Sequence, residues 1–585
     1  MSQTQTTDRQ MPSRLGKLIL VDSAPPLDQQ ELAELSHPKL ANWEIVKHTA
    51  SRTVYHGLLG GQEVYVKHFH SRSWLHRLAR RLSGGEARHE MNSLLYLSSQ
   101  GIATAAPLAA MGGDGTEWLA TRAVAPAQRA DIWHERQLTS GPGGLRRIRQ
   151  ATVAMGRLVG RMHTAGVFHR DLHCGNILVR TDSTGPQLVL MDLHRVSRRR
   201  WLSRRSRAAN IAQLFHDRRD FTSRTDRLRF LKSYLAESRA GGSLRSWQEV
   251  IESFARRHTR RQNAQRDRRT LGAGRYFSPI RLGGGWRGHV VLTSKRRMGG
   301  SRAAEMEFNL DDWRLALRDP GALFSATGAE VIKDSPSSLI VRRTLSVGPH
   351  RVEVFVKRAR RKKPWKALAD CFRPSRPIRA FELGHAMLTR RIATALPLAA
   401  LERRRGPFLQ DSILITEAVN APRLNRFMEA HLTVPLKGPA PMTASQQRRL
   451  GQEVLWQLGR LLQRLHDYSF AHRDLKATNI LVRWQPGLAP EVVLVDLDGL
   501  HRKRSLTARR RFQGLMRLNV SLLDCPVVNR AGRLRMLLGY LRRPGGGRIN
   551  FKPYWHMLED WSERTRRRQI RSRRKRQRAA RRPGP

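Results

Sequence analysis

The chain has 585 residues, too many for one hydrophobic core, and sets 108 Lys and Arg against 47 Asp and Glu for a formal charge of +61. Such a charge seeks polyanions: nucleic acid, an anionic membrane, or an anionic substrate. Cys174, Cys371 and Cys525 are too scattered for a disulfide framework or a CxxC site. No run approaches the roughly 18 apolar residues of a membrane span. The first 20 residues lack an apolar segment with a small-residue cleavage site, so export is not expected. Arg far outweighs Lys, which suits forked contacts to phosphate or carboxylate and equally reflects a GC-rich genome.

Residues 1–40 are polar, contain proline and read as a flexible leader. Short apolar alternations then predict strands at 42–46, 53–57 and 63–67, a helix over about 86–100 and a strand at 117–123. A Gly/Pro loop at 140–144 precedes an amphipathic helix, about 145–165. The second half repeats this order. Residues 352–357 correspond to 63–67, 391–398 to 101–108, and 412–417 to 117–122; a loop at 434–445 then precedes a helix at 447–467. A repeat this long is a domain duplication rather than a solenoid. Between the halves, the glycines of 271–325 match neither GxGxxG nor a P-loop, and the segment reads as a turn-rich connector. The Arg/Lys run from Arg564 is expected to be disordered, or helical only on an anionic surface. The expected organisation is a leader (1–40), a first domain (41–270), the connector (271–325), a second domain (326–555) and a basic tail (556–585).

The segment HRDLHCGN at 169–176 returns as HRDLKATN at 472–479. In this HRDLxxxN pattern, the catalytic loop of kinases, Asp meets the acceptor hydroxyl and Asn binds a metal. Phosphoryl transfer asks a protein mainly for charge neutralisation and positioning, and each half offers candidates for both. Asp171 and Asp474 are the candidate catalytic aspartates. Asn176 and Asp192, and likewise Asn479 and Asp496, are the candidate metal ligands. Their separations of 16 and 17 residues suit a strand, a turn and a strand that bring Asn and Asp to one hard cation, Mg2+. Lys67 and Lys357 each end an alternating run (VYVK, VFVK) and are expected to grip ATP phosphates.

A helical carboxylate should orient each lysine. Glu90 is the first-half candidate, with Glu86 one turn earlier as the alternative. In the second half an ungapped alignment sets Ala380 opposite Glu90. Glu382 stands two positions on, about 200° round the helix, and comes into line only if the following turn is two residues shorter. The second domain is therefore intact through Glu382, holds its lysine differently, or is impaired. His163 and His466, six residues before each HRD, read as packing groups, and His169 and His472 as braces of the loop; no second ligand stands at i+3 or i+4 of the helix histidines.

Together these motifs resemble the lipopolysaccharide kinases, a bacterial kinase-fold family acting on inner-core sugars. HRDLHCGNILV carries His173 where a Ser/Thr protein kinase has Lys, a feature also close to the phosphotransferases that act on aminoglycosides. DLHR replaces DFG, no GxGxxG precedes Lys67 and no APE follows Asp192. GIATAAPLA (101–109) and the basic stretch 192–214 also resemble the family. The resemblance covers most of 41–265 and, more loosely, 326–545. It implies an α+β fold: two tandem protein-kinase-like bilobal domains, each with a small β-rich N-lobe and a helical C-lobe. It also implies an ATP- and Mg2+-dependent kinase that phosphorylates a Kdo or heptose hydroxyl of lipopolysaccharide core. The expected location is cytoplasmic, peripheral on the inner membrane. Its partners would be the anionic glycolipid and the anionic membrane surface, where each Lys or Arg contributes about 1 kcal/mol before screening. A nucleic-acid partner is disfavoured, since no zinc spacing or RNP-type aromatics accompany the charge. The alternatives are a Ser/Thr protein kinase, suggested by Lys476, and a tandem pseudokinase scaffold that binds an anionic partner.

Overall fold

The computed structural model describes residues 8–9, 17–20, 27–49, 51–70, 85–112, 117–183, 185–216, 222–293, 306–325, 327–360, 371, 373–432, 442–542 and 549–580. The chain divides into two units, Met1–Arg260 and Arg261–Pro585. Each joins a seven-stranded antiparallel sheet to a largely helical part.

In the first sheet the strands lie in the order Asp8–Arg9, Lys17–Leu20, Pro107–Gly112, Glu117–Arg122, Gln62–Phe69, Arg52–Leu59, Glu44–Thr49. The second sheet repeats that order with Phe277–Arg281, Trp286–Val291, Pro397–Arg405, Phe408–Glu417, His350–Ala359, Ser338–Val347 and Ala329–Ser335. Alternation explains how each lysine is presented. Val64 and Val66 are fully buried in one core with Leu108 and Trp118. The opposite face, with Lys67 and Phe69, looks onto the helix Glu86–Ser99, where Phe69 packs with Met91 and Leu94. Val354 and Val356 are buried in the same way beside Lys357.

The expected leader and connector are corrected here. Phe277–Arg281 and Trp286–Val291 pair with each other, and the latter pairs with Pro397–Arg405. They hold the place in the second sheet that Asp8–Arg9 and Lys17–Leu20 hold in the first. A helix follows each hairpin, Gln29–Ser36 with fully buried Leu35, and Leu310–Ala316 with fully buried Trp313. The glycine cluster in the expected connector is the hairpin turn, where Gly284 (φ 64°) and Gly285 (φ 77°) take left-handed backbone.

In the helical parts Gly141–Thr164 packs along Arg224–Ser238, and Ala444–Asp467 along Arg530–Leu541. The close approach falls at matching glycines, each seven residues before the helix histidine. A Cβ on Gly156 would stand 2.6 Å from the Phe230 carbonyl oxygen, and one on Gly459 2.1 Å from that of Met536. The C-terminal helix runs from Lys552 to Ala580. Its first turns bury Trp555 and Leu558 in the second core, and buried Ser562 accepts a hydrogen bond from Asn519 at 2.8 Å, so the expected tail begins inside the domain. Residues 581–585, and 434–441 of the expected loop at 434–445, lie outside the described residues. Among the described residues no helix is long and apolar enough to cross a membrane.

The expected domain boundary at 270 also shifts. Asp267, near the end of the helix Leu244–Arg269, belongs to the second unit, where Arg390 forks onto it at 2.8 and 2.7 Å and Arg502 joins at 2.7 Å. The Arg390 side chain is 1% exposed. Removing one partner of a buried pair leaves an uncompensated charge, so Arg390→Met should cost about 3 kcal/mol of unfolding free energy. Arg245→Met, which removes an exposed helical pair with Glu249, should cost less than about 1 kcal/mol. Denaturant unfolding of both variants checks this, and equal losses would contradict it.

Candidate active site

In the first unit the buried Glu90 on helix Glu86–Ser99 reaches the lysine strand. Lys67 Nζ donates to Glu90 Oε1 at 2.5 Å and lies 3.4 Å from Asp192 Oδ1. Glu90 Oε1 also accepts from the Leu193 backbone N–H at 3.0 Å, which ties the helix to the segment just after Asp192. Glu86, the alternative, is near enough to Arg52 to add, after Asp192 and Glu90, to the charge that holds its guanidinium protonated. Arg52, two pairs along the neighbouring strand, forks onto Asp192 with Nη1–Oδ1 at 2.6 Å and Nη2–Oδ2 at 2.7 Å. His194 Nδ1 stands 2.9 Å from Asp192 Oδ1. Burial opposes the Lys67 ammonium, but Glu90 and Asp192 outweigh it and hold its pKa above the usual value. Burial also opposes the Asp192 carboxylate, yet His194, Lys67 and Arg52 hold it well below the usual carboxylate range. Both groups are therefore charged at neutral pH.

The HRDLxxxN loop is braced from within. The Asp171 N–H donates to His169 Nδ1 at 3.1 Å, and Asn176 Nδ2 donates to the Asp171 carbonyl at 3.0 Å. Ile177–Asp182 and Gly185–Leu190 then form a hairpin whose return brings the Met191 N–H to the Asn176 carbonyl at 2.9 Å, placing Asp192 next to Asn176 in the backbone network. Asp192 adopts φ 62°, a sparse region for a non-glycine residue, and its counterpart Asp496 adopts φ 64°. The donor set fits Mg2+. The Asn176 amide is oriented with Oδ1 as its remaining acceptor; among the described residues Asp192 Oδ2 meets Arg52, and Glu90 Oε2 is buried without a hydrogen-bond partner. Ligand atoms of Glu90, Asp192 and His194 lie within 4.8 Å of one another. The carboxylate and amide oxygens of Glu90, Asp192 and Asn176 are the hard donors this cation takes; the His194 nitrogen is not.

The second unit reproduces the loop. Asn479 Nδ2 donates to the Asp474 carbonyl at 2.8 Å, the Asp474 N–H to His472 Nδ1 at 3.2 Å, and His472 Nε2 to the Asp496 carbonyl at 2.8 Å. The lysine is held differently. Helix Arg376–Thr389 has the same 14 residues as Glu86–Ser99, and each is followed by a positive-φ residue, Arg391 (55°) or Gly101 (67°), then a buried isoleucine. The turn is not shortened, so Ala380 stays opposite Glu90, and the expectation that Glu382 orients Lys357 is corrected. Glu382 lies near Asp267 and Arg502, where burial and the Asp267 charge push its carboxyl up.

Lys357 Nζ instead stands 2.8 Å from Asp496 Oδ1 and 2.8 Å from Asp498 Oδ2. Asp498 occupies the position of His194, and Ser338 that of Arg52 in strand register. In the loop, Lys476 Nζ pairs with Asp474 Oδ2 at 2.7 Å, whereas His173 Nε2 is 3.9 Å from Asp171 Oδ1. Sequence reasoning missed Arg52, His194 and Asp498. Arg52 is one of 108 basic residues with nothing in its spacing to mark it. Asp498 does carry a signal, a second carboxylate two residues after Asp496 in a half whose helix offers alanine.

The helix histidines are packing groups. His163 bridges Tyr234 Oη (3.0 Å) and Asn210 Oδ1 (3.2 Å), and Asn210 Nδ2 in turn donates to the His169 carbonyl at 2.7 Å. His466 lies 3.0 Å from Tyr540 Oη. Burial lowers His163 to about 4 and His466 to about 3 from the usual 6.5. As pH falls, the unfolded chain takes up these protons first. Stability present above about pH 6.5 is therefore lost progressively down to about 4 for His163. Between pH 7 and 4 the first unit should lose about 3 kcal/mol more in the wild type than in His163→Gln, read by urea unfolding at each pH; identical pH dependence would contradict this.

Residues 44–234 and 337–540 each match the lipopolysaccharide kinase (Kdo/WaaP) family. A 163-residue stretch is 32% identical to the lipopolysaccharide core heptose(I) kinase WaaP of Pseudomonas aeruginosa, covering 25% of this chain and 59% of that protein. A solved structure of WaaP in complex with acyl carrier protein is similar at 24% identity, covering 40% of this chain and 98% of that one, with a TM-score of 0.32. An aminoglycoside-3'-phosphotransferase of type VIII is similar at 17% identity, covering 36% and 93%, with a TM-score of 0.26. With two matched segments that together make up more than half of its length, the chain belongs to the lipopolysaccharide kinase (Kdo/WaaP) family.

Proposed function

We propose that the chain is an ATP- and Mg2+-dependent phosphotransferase acting on a sugar hydroxyl, of Kdo or heptose, in lipopolysaccharide core at the cytoplasmic membrane face. The first unit carries most of the turnover. The observation that supports this best is the Lys67–Glu90–Asp192 cluster, linked through the Asn176 backbone to the Asp171 loop. Lys67, held by Glu90, binds phosphate oxygens of ATP. Asn176 and Asp192 hold Mg2+, which when bound neutralises phosphate charge. The Asp171 side chain is 41% exposed, open to an acceptor, and orients the sugar hydroxyl and receives its proton. Family membership and the heptose kinase relative favour the core sugar as acceptor, and a charge of +61 favours a phosphorylated glycolipid on an anionic leaflet.

For the second unit a regulatory or weakly active role has its own support. Its helix carries Ala380 where the first carries Glu90, and Lys476 pairs with the Asp474 carboxylate. Asp171→Ala and Asp192→Ala should therefore lower kcat for phosphate transfer to core glycolipid by about a hundred- to ten-thousand-fold. Asp474→Ala and Asp496→Ala should lower it by less than about tenfold, on the order of 1.4 kcal/mol. Equal losses from the two pairs would contradict unequal halves. Deleting 564–585 should reduce sedimentation with anionic vesicles while leaving turnover on a soluble core oligosaccharide intact. An unchanged bound fraction would remove the basic helix from membrane attachment.

A further inference from the structure

The two lysine sites differ by a reciprocal exchange. The first has Glu90 on the helix and His194 two residues after Asp192; the second has Ala380 on the helix and Asp498 two residues after Asp496. Both lysines sit at the same register of matching strands, Lys67 across from Val54 and Leu119, Lys357 across from Ile340 and Leu414. Both end with two carboxylates, at 2.5 and 3.4 Å from Lys67 and at 2.8 and 2.8 Å from Lys357. Simple loss of the helix acid would have left Lys357 facing a single carboxylate. The side chain is largely withdrawn from water, 17% exposed, and a lone partner would offset its desolvation poorly. The acid has instead moved to the turn after the metal-site aspartate.

We propose that Asp498 is the positioning residue for Lys357, doing from the turn Leu497–Gly499 what Glu90 does from the helix. The second unit thereby keeps a binding site for a nucleoside triphosphate with a divalent cation. The assignment rests on the reading of these lysines as phosphate-gripping groups. The same exchange places Ser338 where Arg52 forks onto Asp192, so Asp496 keeps carboxylate lone pairs that its counterpart gives to a guanidinium. Such a site binds nucleotide without needing the acceptor chemistry of Asp474.

The test is a titration of full-length Lys67→Met protein, its first site disabled, with a non-hydrolysable ATP analogue and Mg2+. One nucleotide should bind per chain. Asp498→Asn should weaken its Kd by about tenfold or more, the loss expected for one charge-assisted pair. Adding Ala380→Glu, which returns a carboxylate to the helix, should restore Kd to within about threefold, a result that a general loss of fold would not give. Glu382→Gln should leave Kd unchanged. Binding that is insensitive to Asp498→Asn, or weakened and not restored by Ala380→Glu, would overturn the role of Asp498 alone. Absence of nucleotide binding in the Lys67→Met protein would overturn it together with the reading of Lys357.

Discussion

Taking a lysine ammonium out of water costs several kcal/mol unless carboxylates meet it within hydrogen-bond reach, and this chain meets that demand twice at one position of one sheet architecture. The demand explains why separate elements must come together. The lysine comes from a strand whose valines fill the sheet core, one carboxylate from a helix or turn, and another from the end of a hairpin that begins at the asparagine of the HRDLxxxN segment. Because that hairpin is anchored at Asn176 or Asn479, the lysine, Asp192 or Asp496, and Asp171 or Asp474 are coupled through a few short bonds. The left-handed backbone at Asp192 and Asp496 is the local strain this arrangement retains in both halves.

The halves solve the same electrostatic problem with different residues. In the first, two cations (Arg52 and Lys67) face two carboxylates (Glu90 and Asp192), with His194 on the same oxygen as Lys67. In the second, one lysine faces two aspartates, and among the described residues no guanidinium forks onto Asp496. Among the described residues the Lys357 site thus sets two carboxylates against its lysine, where the Lys67 site sets two carboxylates against a lysine and a guanidinium. The difference extends into the loop, where Lys476 lies on Asp474 while His173 stands away from Asp171. The lysine keeps its place in both sheets while the acids around it differ.

Much of this was legible in the sequence, for identifiable reasons. Strands with period-two valines around a lysine, the long amphipathic helices before each HRD, and the apolar runs flanking a turn all carry local patterns, and the corresponding elements form close to where those patterns lie. The opening hairpins were not legible. Lys17–Leu20 and Trp286–Val291 find their partners in Pro107–Gly112 and Pro397–Arg405, about a hundred residues away, and the glycines at 283–285 resemble a linker until that pairing is known. Glu382 was misplaced because spacing alone allows a shorter turn, whereas the equal helices and the left-handed residue after each fix the frame at Ala380. Arg52 was hidden by abundance, one guanidinium among many, and only strand register brings it to Asp192.

The most direct test of the account is transfer of labelled phosphate from ATP, with Mg2+, by the full-length protein to lipopolysaccharide core glycolipid and, in parallel, to a generic protein acceptor, with the phosphorylated position located by mass spectrometry. The account predicts label on a core sugar hydroxyl and none on the protein acceptor. Label on protein with an unmodified glycolipid, or no transfer to either, would contradict it.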